Sequence, residues 1–256
     1  MINYLVSNDD GIDAPGIRAL VDALSTGENV KVYVCAPDGQ RSGNSQSISL
    51  NSTVFVEKIQ MKGAEIAWKT TGTPADCVKI GLQKCEEMGI KLDMVFAGIN
   101  MGSNLGKDTL YSGTVGAAKE AAVSGYKTVA ISVEGHHCTH FEGACKIALD
   151  TIKILKDQFI PRVILNINVP DLPVDEIKGI KYTRLGPRYF KDRFWDHTDD
   201  GPGAYRLDGV PNDFSDLNEE YDVWAMQQGY ASITPLHFDY TDYDVLEEIK
   251  KCDIEI

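Results

Sequence analysis

Four oxygen-bearing side chains carry the chemistry of this sequence. Asp9 and Asp10 sit in Asn8-Asp9-Asp10-Gly11, Ser42 in Arg41-Ser42-Gly43-Asn44, and Asn100 in Gly98-Ile99-Asn100. Adjacent carboxylates are costly to hold together at neutral pH unless a cation lies between them. Side chains alternate in direction along a strand, but a turn at a strand end can bring both to one side. Taken alone, one aspartate could be solvated while the other caps the helix that opens near Pro15. Ser42 could likewise be a turn hydroxyl, and Asn100 could bond its own loop. Together the four make a hard, all-oxygen set, which suits Mg²⁺, Mn²⁺ or Ca²⁺ and suits zinc poorly. Their shared place at strand ends favours the metal. A second feature is Tyr111-Ser112-Gly113-Thr114 leading into a helix. It is either a capped helix start or an anion site built from backbone N–H groups and hydroxyls. A metal site and an anion site at one sheet edge point to phosphoryl chemistry.

These loops need a frame, and the sequence patterning supplies one. Residues 2–7 read as a strand, and a helix opens at Pro15 with Ile17, Leu20, Val21 and Leu24 on one face and Gly27 at its end. Val30 to Ala36 is a second strand, and 48–70 reads as a hairpin turning at Lys62-Gly63. Thr73-Pro74 caps a helix reaching about Met88. Met94 to Ile99, Val129 to Val133 and Val163 to Ile167 are buried strands, separated by helices over Thr114 to Ser124 and about 141–157. Such alternation specifies an α/β fold, a parallel sheet with helices on both faces. Ligands bind such sheets at the carboxyl ends of the strands, where the three loops lie. After Gly186 the texture changes. Residues 187–220 hold few apolar positions and read as an arm, lid or interface element. Two strand-like runs, Tyr221 to Met226 and Tyr230 to Thr234, precede a short acidic helix.

Composition narrows the partners. A net charge of −13 over 256 residues argues against coating a long nucleic acid, though a bound cation still permits a small phosphate. No apolar run is long enough for a membrane span, and Met1 to Val6 has no secretory pattern. Six scattered cysteines without a C-x-x-C pair fit reduced thiols in a cytoplasm. Gly102-Ser103-Asn104-Leu105-Gly106-Lys107 has three residues between its glycines where a Walker A loop needs four, and no G-x-G-x-x-G fingerprint occurs. Glu134 to His140 reads as a polar surface loop, because His136 and His140 have no third zinc ligand. The Arg184, Arg188, Lys191 and Arg193 group reads as a solvated loop face, and Trp195 with Tyr189 as a contact to a neighbouring subunit.

Longer motifs resemble a known family. Asn8-Asp9-Asp10-Gly11-Ile12-Asp13-Ala14-Pro15-Gly16 is similar to the opening signature of the SurE survival-protein nucleotidases. Ala36-Pro37 with Arg41-Ser42-Gly43, then Gly72 to Val78, then Gly98 to Gly106 running on to Val115, resemble their next three motifs in order. Asn166 to Pro170 and Gly229 to Leu236 extend the likeness. Ala97 and Ala121 depart from it, standing where serine and glycine are frequent.

The resemblance implies a Rossmann-like, three-layer core over 1–186. A C-terminal extension over 187–256 would complete the same domain and carry a β-hairpin arm used to build a homodimer or homotetramer. It implies a phosphatase dependent on one divalent cation per subunit, Mg²⁺ or Mn²⁺ with Ca²⁺ as a non-native occupant. The substrates would be nucleoside 5′-monophosphates, also 3′-monophosphates, and in some members short polyphosphate. Asp9, Asp10, Ser42 and Asn100 would hold the metal, while Gly43, Asn44, Asn104, Ser112, Gly113 and Thr114 would contact substrate. Asp9, ahead of Asp10, would accept the proton of an attacking water; attack by an aspartate itself is the alternative route. A receiver-like signalling domain is the rival, but Gly98-Ile99-Asn100 stands where its phosphoacceptor aspartate belongs. A non-catalytic nucleotide-binding module is the third reading.

Overall fold

The structure is a computed structural model that describes residues 1–158, 163–212 and 218–252. A nine-stranded sheet runs through it. Strands β1 (Ile2–Ser7), β2 (Val30–Pro37), β3 (Val56–Ile59), β4 (Ile66–Thr70), β5 (Met94–Met101), β6 (Thr128–Val133), β7 (Val163–Val169), β8 (Ile180–Tyr182) and β11 (Ala231–His237) take the order β3-β4-β2-β1-β5-β6-β7-β11-β8. Strands β4, β2, β1, β5, β6 and β7 are mutually parallel, as the alternation of strand and helix requires. β3 closes one edge antiparallel to β4, and β11 runs antiparallel to β7.

Helices cover both faces. α1 (Pro15–Ser25) and α4 (Glu142–Gln158) pack on one, where Ile17, Leu20, Val21, Leu24 and Ile147 meet Val6, Phe96, Ile131 and Ile167. α2 (Pro74–Glu87) and α3 (Gly113–Val123) pack on the other, with Val78, Leu82, Val115 and Ala118 against Leu5, Val95 and Ala130. The expected cap of α2 is present as a reciprocal pair: the Asp76 amide donates to the Thr73 hydroxyl at 3.1 Å, and the Thr73 amide to the Asp76 carboxylate at 2.9 Å. Alanine on α3 lets that helix lie close to the sheet, so its first turn reaches the sheet edge.

One expectation after Gly186 needs correction. Tyr221 to Met226 is not a strand: Asp222–Gln227 forms helix α5, because the Asp222 carboxylate and the buried faces of Val223 and Met226 find partners only in that geometry. The C-terminal extension carries the expected arm within 187–220. It holds an antiparallel hairpin, β9 (Tyr189–Asp196) and β10 (Tyr205–Asn212), paired from Tyr189–Asn212 to Asp196–Tyr205 and forming a separate two-stranded sheet. A final helix, α6 (Tyr243–Ile249), follows β11.

Candidate active site at the carboxyl edge of the sheet

β1 is flanked by β2 on one side and by β5 on the other, so the chain changes winding direction between β1 and β5. That switch opens a crevice outside the strand ends, the usual ligand position in such sheets. Asp9 and Asp10 follow β1, Asn100 closes β5, and Ser42 follows β2. A register shift between Ala97 and Asn100 in the β5–β6 pairing bends this end of β5, as bulges do where a strand must re-aim a side chain.

Hydrogen bonds tie these loops together. The Arg41 amide donates to the Asp9 carbonyl at 2.6 Å, which fixes the Ser42 loop beside β1. The Met101 amide donates to the Asp10 carboxylate at 2.9 Å, which fixes Asp10 beside β5. Asn100 donates through Nδ2 to the Gly102 carbonyl at 2.6 Å, a bond that does not engage its Oδ1. The Ser42 hydroxyl is exposed and accepts from Gln40 at 3.2 Å. Asn44 donates to the Arg41 carbonyl at 2.8 Å, and Gly43 takes φ +78°, a backbone conformation that an L side chain rarely adopts.

The start of α3 presses on the same carboxylate. Ser112 is the N-cap, its hydroxyl accepting from the Val115 amide at 3.1 Å, and the Thr114 hydroxyl donates to the Asp9 carboxylate. A Cβ on Gly113 would lie 2.7 Å from Asp9 Oδ2, so glycine alone permits this approach. Ser112 therefore caps the helix, and the turn that follows it lies against Asp9. Asn104 sits deeper, giving Nδ2 to Ser132 at 2.8 Å while Asn166 and Asn168 donate to its carbonyl.

The electrostatics fit a cation. Burial raises the Asp9 carboxyl above its ordinary range even though Thr114 and nearby amides pull it down. Asp10 is raised to about 6, chiefly by burial and further by the Asp9 charge, with the Met101 amide and His136 acting against that. Two adjacent acids that resist ionising together, flanked by neutral oxygens, match the donor chemistry of Mg²⁺ or Mn²⁺. Among the described residues no group of three or more His, Cys, Asp or Glu side chains comes together in a way that could hold a metal ion.

One residue near the site, His136, reads from the sequence as part of a polar surface loop. His136 lies on the loop after β6, close enough to act on the Asp10 charge, and both its ring and the Asn100 amide lie within 4 Å of where a Gly102 Cβ would stand. Its signal was its position at a strand's carboxyl end. His140 instead turns away, to Asp171 at 3.1 Å. The basic group is dispersed: Arg184 pairs with Glu220, Arg188 with Asp108, and Arg193 stacks on Trp195.

Comparison with known proteins agrees with this geometry. The family model described as "Survival protein SurE" matches residues 4–192. A protein named 5′-nucleotidase SurE from Pelotomaculum thermopropionicum is 40% identical over 98% of this chain and 95% of its own length. One of the same name from Petrotoga mobilis is 40% identical over 97% and 98%. A crystal structure of SurE protein from Aquifex aeolicus superposes with a TM-score of 0.81 at 38% identity, covering 97% of this chain and 98% of that one.

Proposed function

The chain belongs to the SurE family, and from that premise we infer that it is a metal-dependent 5′-nucleotidase, releasing phosphate from nucleoside 5′-monophosphates. The observation that carries this reading is the meeting of Asp9, Asp10 and Asn100 with the start of α3 in the crevice between β1 and β5. Asp9, Asp10, Ser42 and Asn100 would hold one divalent cation, Mg²⁺ or Mn²⁺ in preference to Ca²⁺. Such an ion would supply Lewis-acid polarisation of a phosphate oxygen and a lowered pKa for a neighbouring water.

The protein's own groups do the rest. The start of α3, Ser112 to Thr114, with the Ser112 hydroxyl as a donor, would hold the non-bridging phosphate oxygens and orient phosphorus for in-line attack. The Asp9 carboxylate, kept basic by burial, takes the proton of the attacking water. Gly43, Asn44 and Asn104 shape the approach of substrate. 3′-Monophosphates and short polyphosphate present the same terminal phosphate and are accepted at the same place.

The hairpin of β9 and β10 joins subunits into a dimer or tetramer. On one of its faces Phe190, Phe194, Tyr205, Leu207 and Pro211 lie together, and the first four are exposed by 40% or more. No helix of the described residues is long and apolar enough to cross a membrane, and the six cysteines are free thiols; both fit a cytoplasmic enzyme.

Phosphate release from 5′-AMP, 3′-AMP and tripolyphosphate, with Mn²⁺ or Mg²⁺ and again in EDTA, tests the reading. Wild type should act on 5′-AMP only with metal, and the Asp9→Asn variant should not. Equal release by the two proteins sinks the enzyme reading, and full activity in EDTA sinks the metal.

A further inference from the structure

Outside the site described above, the most deeply buried acid of the described residues is Asp222. Asp222, at the start of α5, is fully buried, and three backbone amides surround its carboxylate. Oδ2 accepts from the Gly106 amide at 2.9 Å, and Oδ1 accepts from Gly186 at 2.7 Å and from Val223 at 2.8 Å. Val223 is its own neighbour on α5. The other two belong to segments far apart in sequence. Gly106 opens a 3₁₀ turn, Gly106–Leu110, in the loop between β5 and α3, and Gly186 lies at the root of the arm.

Around this carboxylate the two segments are stitched further. The Lys107 amide donates to the Arg188 carbonyl at 3.0 Å, and the Arg188 guanidinium meets the Asp108 carboxylate at 3.0 Å. Leu105 packs with Val223 and Met226 in a small apolar cluster of its own beneath the loop. A Cβ on Gly106 would stand 2.8 Å from the Gly186 carbonyl, so the segments touch backbone to backbone. From the stitch the loop runs straight to the phosphate side of the site. The Asp108 carbonyl accepts from the Tyr111 and Ser112 amides, at 3.0 and 3.1 Å, and Ser112 caps α3. The metal side is reached differently, through β1, β2 and β5.

We infer that Asp222 is a positioning residue, whose carboxylate clamps the loop carrying Ser112 to the root of the arm and so sets the phosphate-binding half of the site. The inference rests on the nucleotidase reading for its kinetic test. A buried carboxylate that accepts several amides cannot be replaced by a carboxamide without losing one of them, because Asn presents a single acceptor oxygen. Loosening Gly106 shifts Ser112 and the α3 start, which hold phosphate in the ground state as in the transition state. The loss therefore falls on KM.

The test is Asp222→Asn in the full chain. KM for 5′-AMP should rise about tenfold, the size expected for loss of one hydrogen bond to a charged group. At the same time kcat and the affinity for Mn²⁺ alone should stay within about twofold. A lower kcat at unchanged KM overturns the inference, because that is what a merely less stable protein shows. Unchanged kinetics overturn it equally. Asp108→Asn loosens the outer stitch and carries the same test should Asp222→Asn be recovered unfolded: a KM rise of about threefold supports the clamp, and an unchanged KM refutes it. Hydrogen exchange separates this question from the nucleotidase reading. If wild type releases no phosphate, faster exchange of the Gly106–Leu110 amides in Asp222→Asn still upholds the clamp, and unaltered exchange discards it.

Discussion

The crevice between β1 and β5 and the β9–β10 arm are opposites in how they hold their side chains. In the crevice Asp9, Asn100, Ser112 and Thr114 are buried, each backed by a strand end or a helix start that belongs to the main core. In the arm, two strands pair only with each other, and their large apolar side chains are exposed. A lone two-stranded hairpin is marginal in water, so whatever orders the arm comes from beyond its own strands. The core can hold charges against their preference because burial elsewhere outweighs the cost. The arm stores no such surplus and is suited to contact.

The largest expected effect tests the crevice. Asp9→Asn keeps the shape of the side chain but removes a charge and the proton acceptor. It should lower kcat/KM for 5′-AMP by about 10³-fold, within the range for losing a general base. Because the Thr114 hydroxyl can still donate to the remaining oxygen, thermal unfolding should change little. A drop of less than tenfold would falsify the role given to Asp9. The matching arm deletion, 189–212 replaced by a short glycine linker, should alter subunit mass by light scattering before it alters Mn²⁺ affinity.

Next comes the cost of holding two acids together. The folded-state pKa of Asp10, about 6, lies above its ordinary value of 3.8. The folded protein thus binds a proton more readily than the unfolded chain, and metal-free stability falls as pH rises between those values. Above pH 6 the full cost is present; below about pH 4 it vanishes. Discounted for partial exposure, it amounts to about 2 kcal/mol. In EDTA at pH 8, Asp10→Asn should therefore melt higher than wild type by roughly 4–8 °C, and Mn²⁺ should raise only the wild type. A variant that melts lower than wild type in EDTA would show that Asp10 is not under strain from its surroundings. A smaller effect is expected at the helix start, where Ser112→Ala loses a cap worth about 1 kcal/mol. KM for 5′-AMP should rise severalfold with it, and an unchanged KM would leave Ser112 a cap alone.

The same contrast decides what the sequence made legible. Strands β1, β2, β5, β6 and β7 and the helices between them were readable because each buries a face in the core, and burial imposes a period on the residues. Asp9, Asp10, Ser42 and Asn100 were readable because that frame puts loops at one edge, where their polarity is unexplained by structure alone. The arm was not. β9 sets three consecutive charged residues between its aromatics, Phe190-Lys191-Asp192-Arg193-Phe194, so no core periodicity marks it as a strand. Helix α5 was misread for a related reason. Tyr221-Asp222-Val223-Trp224 alternates like a strand, and only the amides of Gly106 and Gly186, distant in sequence, reveal why Asp222 is buried. His136 reads as part of a polar surface loop because its relation to Asp10 depends on how the β6 loop folds back.

The smallest expected change in the folded subunit concerns the arm's apolar face. Phe194 and Leu207 oppose each other across the hairpin and are 64% and 56% exposed. In an isolated subunit, Phe194→Ser with Leu207→Ser removes little buried area, so stability should move by less than about 0.5 kcal/mol per site. If a second copy covers that face, the same pair removes apolar burial from an interface, and the loss appears as dissociation at low concentration. Sedimentation over a hundredfold dilution distinguishes these outcomes. We expect the double variant to become monomeric at concentrations where wild type remains assembled. Its kcat per subunit should stay close to wild type, because the four residues proposed to hold the metal lie on strand ends that the arm does not build. A variant that assembles as wild type does would remove the arm's apolar face from the interface and leave its exposure without a partner of this chain's own making.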